Sequence, residues 1–290
     1  MEWLILSGVV FTLWLLLEFK SSRSDGTLVK KLHPYRRIMQ YVMTTRNESI
    51  VYFDVSANAE NLLALLADQK EKGVSLIHVL VATMAKTLEK NPKMNRFVSG
   101  RRVYDRKQRV ITFSAKRKKR DAKSKLAMVK MEMLADETFD GLVGRINGKL
   151  SVERSGAKTY ADKEYDFFNL LPRPVLVCAV GLLKCLDYYN ILPGFFIRDD
   201  ALYTSAVITN LGSLKMAPAY HHLYEWGNCP LFLMVGQVEE RAVVENGEIC
   251  VRKVLPMRIA YDERIEDGLT AKRGIDDFVE LIESPNEHFS

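Results

Sequence analysis

Five histidines, four cysteines and one dense basic run are the side chains whose types invite a chemical reading. The histidines do not cluster. His33 and His288 stand near the two ends, and His78 falls in an apolar stretch where a satisfied core side chain is expected. His221 and His222 are adjacent; neighbours on an extended chain point to opposite faces and rarely ligate one metal together. Both are expected to pack beside Tyr224 and Trp226 rather than catalyse. No C-x-x-C pair occurs among Cys178, Cys185, Cys229 and Cys250. They are expected to be buried free thiols in a reducing compartment, with no disulfide scaffold and no metal site. Residues 116–120 read KRKKR and continue with Lys123 and Lys125. The run is expected to be a solvated loop between strands, suited to anions such as cofactor phosphates or acidic lipid headgroups. Without interleaved aromatic residues it offers no stacking platform for nucleic acid. H-E-x-x-H, Walker, G-x-G-x-x-G and G-x-S-x-G patterns are absent. Two other segments stand out together: VITNLG at residues 207–212 and YDERIEDG at residues 261–268.

These segments need elements to hold them. Of 290 residues, 48% are hydrophobic and 27% charged, with 16 glycines and 9 prolines, which excludes collagen-like, low-complexity and largely disordered chains. The net charge of +6 is compatible with anionic partners but far from a nucleic-acid-binding composition. From residue 27 onward the pattern predicts one mixed α/β domain without repeats. IVYFDVS at residues 50–56 reads as a strand, and Asn58 can cap a helix running to about Lys72, with Gly73 as its stop. Ser75 caps a second helix, nearly all-round apolar and hence buried, that ends at Asn91 and Pro92. Residues 103–113 and 126–133 read as strands flanking the basic run, and residues 137–154 as a polar helix. Pro174 opens the apolar helix PVLVCAVGLLKCLDYYN. Residues 201–209, 231–244 and 248–261 are strand candidates, with Asn246 and Gly247 as a hairpin turn. Residues 268–283 close the chain as an amphipathic helix with Ala271, Ile275, Phe278, Val279 and Ile282 on one stripe. Strands interleaved with helices, plus a long hairpin, predict a sheet covered by helices on one side.

At these two segments the sequence resembles the catalytic domain of the 2-oxo acid dehydrogenase acyltransferases, whose fold is shared with chloramphenicol acetyltransferase. That family carries T-I-S-N-L-G, then a hairpin ending in D-H-R-x-x-D-G, then a helix finishing L-L-E-x-P. Here the matching stretches are VITNLG, DERIEDG at residues 262–268 and LIESP at residues 281–285, and PKMN at residues 92–95 resembles the family's P-x-L-N. The resemblance covers residues 32–285. It implies a chloramphenicol-acetyltransferase-like two-layer sandwich of a mixed sheet and helices. It also implies coenzyme A as the acyl-CoA substrate and a homotrimer with its channel between subunits, where Glu263 and Thr209 face one another. Thr209 takes the place of the family's serine, whose hydroxyl stabilises the oxyanion. Asp267 takes the place of the aspartate that holds local structure through an arginine. Glu263 stands where the family has its general-base histidine. A glutamate is ordinarily a weak base toward a thiol, so it would serve there only if buried among apolar walls. The alternative is a catalytically inactive trimeric scaffold of the same fold. No lipoyl domain is expected in this chain.

Ahead of the body, residues 3–19 read WLILSGVVFTLWLLLEF, long enough to span a bilayer as one helix. Trp3 and Trp14 partly fit the interfacial belts, and the residues before the run lack the positive charge of a signal peptide. Lys20, Arg23, Lys30, Lys31, Arg36 and Arg37 follow the run, which predicts a single-pass membrane protein with its C-terminal domain in the cytoplasm. Residues 1–26 are thus expected to form an anchor with a short polar tether, SSRSDG at residues 21–26, and residues 27–290 the acyltransferase-like domain.

Overall fold

Strand-like runs of period two assemble into one mixed sheet, and helices cover a single face of it. The computed structural model describes residues 1–117, 126–155 and 160–289. In chain order the elements are α1 (Glu2–Phe19), β1 (Gly26–Leu28), α2 (Pro34–Val42), β2 (Ile50–Asn58), α3 (Glu60–Asp68), α4 (Leu76–Lys90), β3 (Arg96–Ser99) and β4 (Arg102–Arg106). They continue with β5 (Val110–Lys116), β6 (Leu126–Glu132), α5 (Phe139–Arg154), α6 (Tyr160–Asn169), α7 (Arg173–Tyr188) and α8 (Gly194–Asp199). The last are β7 (Ala206–Asn210), β8 (Leu231–Val235), β9 (Glu239–Glu245), β10 (Glu248–Asp262), α9 (Gly268–Glu283) and α10 (Asn286–Phe289). The main sheet has the order β2-β10-β8-β7-β5-β6, with β9 paired to the first half of β10. β7 runs parallel to β5 and β8, and the other pairings are antiparallel. β1-β4-β3 forms a second, small sheet.

Alternation along each strand decides the layers. Ile111, Phe113, Ile208, Leu233, Met257 and Ile259 share the face packed against α3, α4, α5 and α9, where Leu62, Val79, Ile146 and Phe278 are buried with them. The other face carries Ser114, Thr209, Met234, Arg258 and Asp54. It is covered only in part, by the loop bearing Leu223 and Cys229 and by α8 over Lys130. Tyr52 and Asp54 remain exposed on it. The one-sided helix layer predicted from the sequence is therefore present. α4 is buried as expected, and Ser75 and His78 form a capping box at its start. His78 also bonds to Asn147 Oδ1 through Nε2 at 3.2 Å, and burial lowers its pKa; it is a neutral core side chain. Asn246 and Gly247 both adopt positive φ, 53° and 85°, as the two-residue hairpin turn requires.

Several boundaries differ from the sequence pattern. Residues 103–113 form two strands in different sheets, because the chain leaves the small sheet at Lys107 and enters the large one at Val110. Residues 231–244 likewise break between β8 and β9. α3 stops at Asp68, well before Lys72, and Gly73 turns the chain afterwards with φ of 74°. Of the four cysteines only Cys229 is buried; Cys178 and Cys185 are exposed on α7 and Cys250 is half-buried. Burial was expected of all four as free thiols, but α7 buries none of its residues.

The SSRSDG segment is also not a free tether. Arg23 and Asp25 are buried and pair at 2.9 Å. Arg23 reaches Asp187 at 2.9 Å, and Asp25 accepts from Asn228 at 2.7 Å and lies 3.8 Å from Arg106. Arg23 and Arg106 also lie over the Phe97 ring, 5.3 and 4.4 Å from its centroid. Burial alone would lower the Arg23 pKa, and the Asp187 and Asp25 carboxylates more than reverse it. Burial would raise that of Asp25, and Arg23 and Arg106 hold it below the usual range instead. Arg106 is less well compensated, and burial pulls it down to about 10.

Removing one member of such a buried cluster leaves its partners charged and unpaired, which costs about 3–5 kcal/mol. Asp25→Asn should lower stability by that order in urea unfolding of the full chain in detergent. The pH dependence has a definite sign. Because the folded-state pKa of Asp25 is depressed, its contribution is full well above the unfolded value of about 3.9 and drains away as pH falls through the folded value. Asp25→Asn should remove that part of the acid sensitivity.

Candidate active site

The YDERIEDG turn is built so that residue 263 faces outward. Asp262 ends β10 and is 1% exposed. Its carboxylate takes a bidentate pair from Arg264, Nε to Oδ1 at 2.9 Å and Nη2 to Oδ2 at 2.8 Å, and a bond from Ser49 Oγ at 2.9 Å. Arg264 also donates to Met43 O at 3.2 Å. With both neighbours locked inward, Glu263 is exposed. Its N–H donates to Ser49 O at 3.0 Å and its carbonyl accepts from Arg36 Nη1 at 3.1 Å. Among the described residues its carboxylate has no partner. Glu266, three residues on, is buried and pairs with Arg36 at 3.1 Å, Lys93 at 3.4 Å and Arg96 at 2.6 Å. Asp267 is the N-cap of α9: Oδ1 accepts from Thr270 N at 2.9 Å, and that backbone bond holds its carboxyl below the usual range. The arginine of this motif pairs with Asp262, so the expected aspartate–arginine bond through Asp267 is replaced by a helix cap.

Thr209 lies near the end of β7 on the partly open face. Its hydroxyl is 3.2 Å from that of Ser114 on the neighbouring β5. Beyond it Asn210 turns the chain, accepting from Ser213 N at 3.2 Å. Gly212 passes so close to the end of β8 that a Cβ there would run into Gly236 O. Only glycine lets the segment after Thr209 press against that strand. The sequence did not single out Ser114; its even register with Thr112 on β5 is the signal that could have found it. His221 packs as expected, stacked on Phe232 at 4.0 Å between centroids, with Nδ1 bonded to His222 O at 2.6 Å.

The two expected active groups do not meet within one chain. Thr209 is in register with Met234, and Met234 with Arg258, on successive strands. Glu263 lies five residues beyond Arg258, so strand geometry separates it from Thr209 by about 19 Å. They sit at opposite ends of the sheet.

Among the described residues, the linings of two cavities include neither Thr209 nor Glu263. The larger, of about 950 Å³, lies between β5, β6, α5 and α8 and is lined by Asp25, Arg106, Lys130 and Tyr203 among others. Lys130 caps the end of α8, donating to Ile197 O at 2.8 Å and Asp200 O at 2.7 Å, and burial pulls its pKa down to about 8. Met128, also on the wall, is opposite Ser114, so this cavity adjoins the Thr209 side of the sheet. The second, of about 430 Å³, is lined by Arg46, Arg101, Lys184, Tyr188, Trp226 and Arg264 among others. In the basic run, Arg117 pairs with Asp162 at 2.6 Å and Glu153 at 2.9 Å, while residues 118–125 lie outside the described residues.

Residues 199–290 match the family described as 2-oxoacid dehydrogenases acyltransferase (catalytic domain). The dihydrolipoyllysine-residue acetyltransferase component of the pyruvate dehydrogenase complex of Bacillus subtilis (strain 168) is 31% identical over 84 residues, 28% of this chain. That match spans only 18% of the Bacillus protein. A probable dihydrolipoamide acetyltransferase from Listeria monocytogenes superposes with a TM-score of 0.58 at 17% identity, over 91% of this chain and 99% of that one. Azotobacter vinelandii dihydrolipoamide acetyltransferase gives 0.58 at 18% identity, over 89% and 93%. A chloramphenicol acetyltransferase gives 0.55 at 10% identity, over 89% and 99%. The chain therefore has the fold of these acetyltransferases, and the 2-oxoacid dehydrogenase acyltransferase signature lies in its last third.

The matched residues 199–290 contain Thr209, Glu263 and Asp267 together. Asp267 has a structural duty that can be measured apart from any activity. Replacing an N-cap aspartate by alanine costs about 1 kcal/mol, whereas asparagine or serine caps almost as well. Asp267→Ala should therefore lower stability by that order in urea titrations, and Asp267→Asn should stay close to the parent. The depressed carboxyl adds a sign: the cap is strongest above the unfolded value of about 3.9 and weakens as pH falls through the folded one.

Proposed function

We propose that this protein is a membrane-anchored acyltransferase that moves an acyl group between coenzyme A and an acceptor thiol, hydroxyl or amine, in a homotrimer whose sites lie between copies. The observation that carries the reading is the placement of the two groups. The Thr209 hydroxyl, bonded to Ser114, lies on a sheet face without a full helix layer. Glu263 projects from the far end beside α2, whose Tyr35, Ile38 and Val42 are exposed. Each is half of a site on an open surface, and a neighbouring copy that covers the Thr209 face with its Glu263 turn brings the halves together. The Thr209 O–H then donates to the oxygen that gains charge as the thioester carbonyl becomes tetrahedral. Glu263 takes the proton from the attacking group, held in place by the Asp262–Arg264 pair on either side of it. Self-association is also supported by the β9–β10 arm, where Val244, Ile249 and Val251 are exposed.

The anchor is α1, 18 residues of mean hydropathy 1.7 with no residue buried against the body. It is read as one membrane pass with the body on the cytoplasmic side. Anionic lipid headgroups are the partners that suit the basic run. Glu263 in place of an imidazole, exposed in the single chain, favours the second reading, a trimeric scaffold without catalysis.

General base catalysis contributes about 10²–10⁴-fold, so Glu263→Gln should reduce acyl-CoA turnover by that order while leaving acyl-CoA affinity nearly unchanged. Thr209→Val should reduce turnover about 10²–10³-fold through loss of the oxyanion donor. Glu263→His should raise activity if the pocket is intact. Calorimetry showing no binding at millimolar coenzyme A, with neither Glu263 variant changing activity, would establish the scaffold instead.

A further inference from the structure

An apolar helix that packs on only one side leaves its other side to be covered. α7 is such a helix. Leu183 and Leu186 pack against the small cluster of Leu192, Ile197 and Tyr203. The opposite side presents Val175, Val177, Cys178, Leu182, Cys185 and Tyr188 to solvent. Val177 is 63% and Leu182 60% exposed. The charges on that exposed side are Arg173 and Lys184, both basic, because Asp187, the single acidic residue of α7, is engaged with Arg23. Just ahead of the helix, Phe167 and Leu170 are exposed at 59% and 82%.

What lies next to this face identifies its cover. The chain emerging from α1 is bonded to the end of α7. Asn190 Nδ2 donates to Lys20 O at 2.9 Å, and Arg23 pairs with the Asp187 carboxylate and donates to Asp187 O at 3.1 Å. Arg102 holds the last carbonyls of the anchor from the other side, donating to Lys20 O at 3.1 Å and to Glu18 O. No slack chain therefore separates α1 from α7. Wherever α1 enters a bilayer, the end of α7 is at its surface.

We propose that the exposed face of α7, with Phe167 and Leu170, lies in the headgroup–acyl boundary of the leaflet that α1 enters. This inference rests on α1 being a membrane span. Apolar residues with basic partners and a terminal tyrosine are what an in-plane interfacial helix presents to lipid. At 1.5 Å per residue the 16 residues of α7 lay about 24 Å of helix along the surface. In a trimer with threefold symmetry the three α1 exits share one height along the axis, as do the three α7 faces, so one bilayer normal to the axis would meet all three copies alike. The surfaces assigned to contact between copies, the Glu263 turn with α2 and the Thr209 face, are different ones.

Native cysteines make this measurable in the full chain. Cys178 and Cys185 are exposed on the face in question and Cys229 is buried. In a Cys250→Ser background, bimane attached to Cys178 and Cys185 is followed after reconstitution into phosphatidylcholine–phosphatidylglycerol vesicles. A second sample, with Cys178→Ser and Cys185→Ser, carries bimane on Cys250 in the hairpin. The expected result is a blue shift of the α7 label and loss of most of its emission to lipids spin-labelled near the headgroup, with the Cys250 label unaffected. Val177→Asp with Leu182→Asp, both at solvent-facing positions, should abolish the quenching. Resistance to alkaline carbonate extraction reports α1 independently. Resistance without lipid quenching at α7 overturns this inference and leaves the anchor standing. Extraction by carbonate overturns the anchor, and the inference with it. A blue shift without lipid quenching, together with cross-linking between copies through Cys178, assigns the face to a second copy and overturns the lipid assignment.

Discussion

The register of β10 is the constraint on which the site depends. Nine consecutive residues of its second half pair with β2 on one side, and five pair with β8 on the other. A slip of one residue would exchange Met257, Ile259 and Tyr261 for Arg258, Ala260 and Asp262 in the core. That register fixes Arg258 in line with Thr209 and sends Glu263 past the far end of the sheet. No side-chain rotation closes a gap of about 19 Å. Any joint chemistry of these two groups is therefore a property of an assembly, and the open Thr209 face is a requirement of it.

The buried ion cluster at residues 23–25 imposes a second constraint. Charged groups taken out of water are tolerated only when paired and hydrogen-bonded, and Arg23, Asp25, Arg106, Asp187 and Asn228 meet that condition together. The consequence is mechanical. A flexible polar linker would let the body sample many orientations about an anchor, whereas a linker bonded at Lys20, Arg23 and Asp25 transmits the direction of α1 to the domain. Lys107 adds to this by donating from Nζ to the carbonyls of Arg23 and Ser24.

Local rules were legible in the sequence, and distant partners were not. The Asn246–Gly247 turn, the limits of α9 and the buried character of α4 each follow from neighbours within a few residues, and the structure agrees. The paired motifs around Thr209 and Glu263 carried the fold. SSRSDG read as a tether because small polar residues default to solvent, and its partners at Arg106, Asp187 and Asn228 are remote in sequence. The strand break between Arg106 and Val110 has no glycine or proline to announce it; the side chain of Lys107 is drawn to the linker instead. Hydropathy likewise reports that α7 avoids water but not what replaces the water. Cys178 and Cys185 are therefore exposed on a helix whose composition alone does not tell a core face from a surface one.

The glutamate at position 263 ties these constraints together. A carboxylate becomes an effective base toward a thiol when water is removed from around it, and the single chain leaves Glu263 in water. Its backbone is nevertheless held by Ser49 and Arg36, between the locked side chains of Asp262 and Arg264. Positioning and desolvation are thus supplied separately, the first by the fold and the second only by whatever docks over the turn. In the trimer proposed above, the contact that brings Thr209 within reach would be the same contact that strips water from the carboxylate. An isolated copy holds the Thr209 hydroxyl and the Glu263 carboxylate apart and leaves the carboxylate in water.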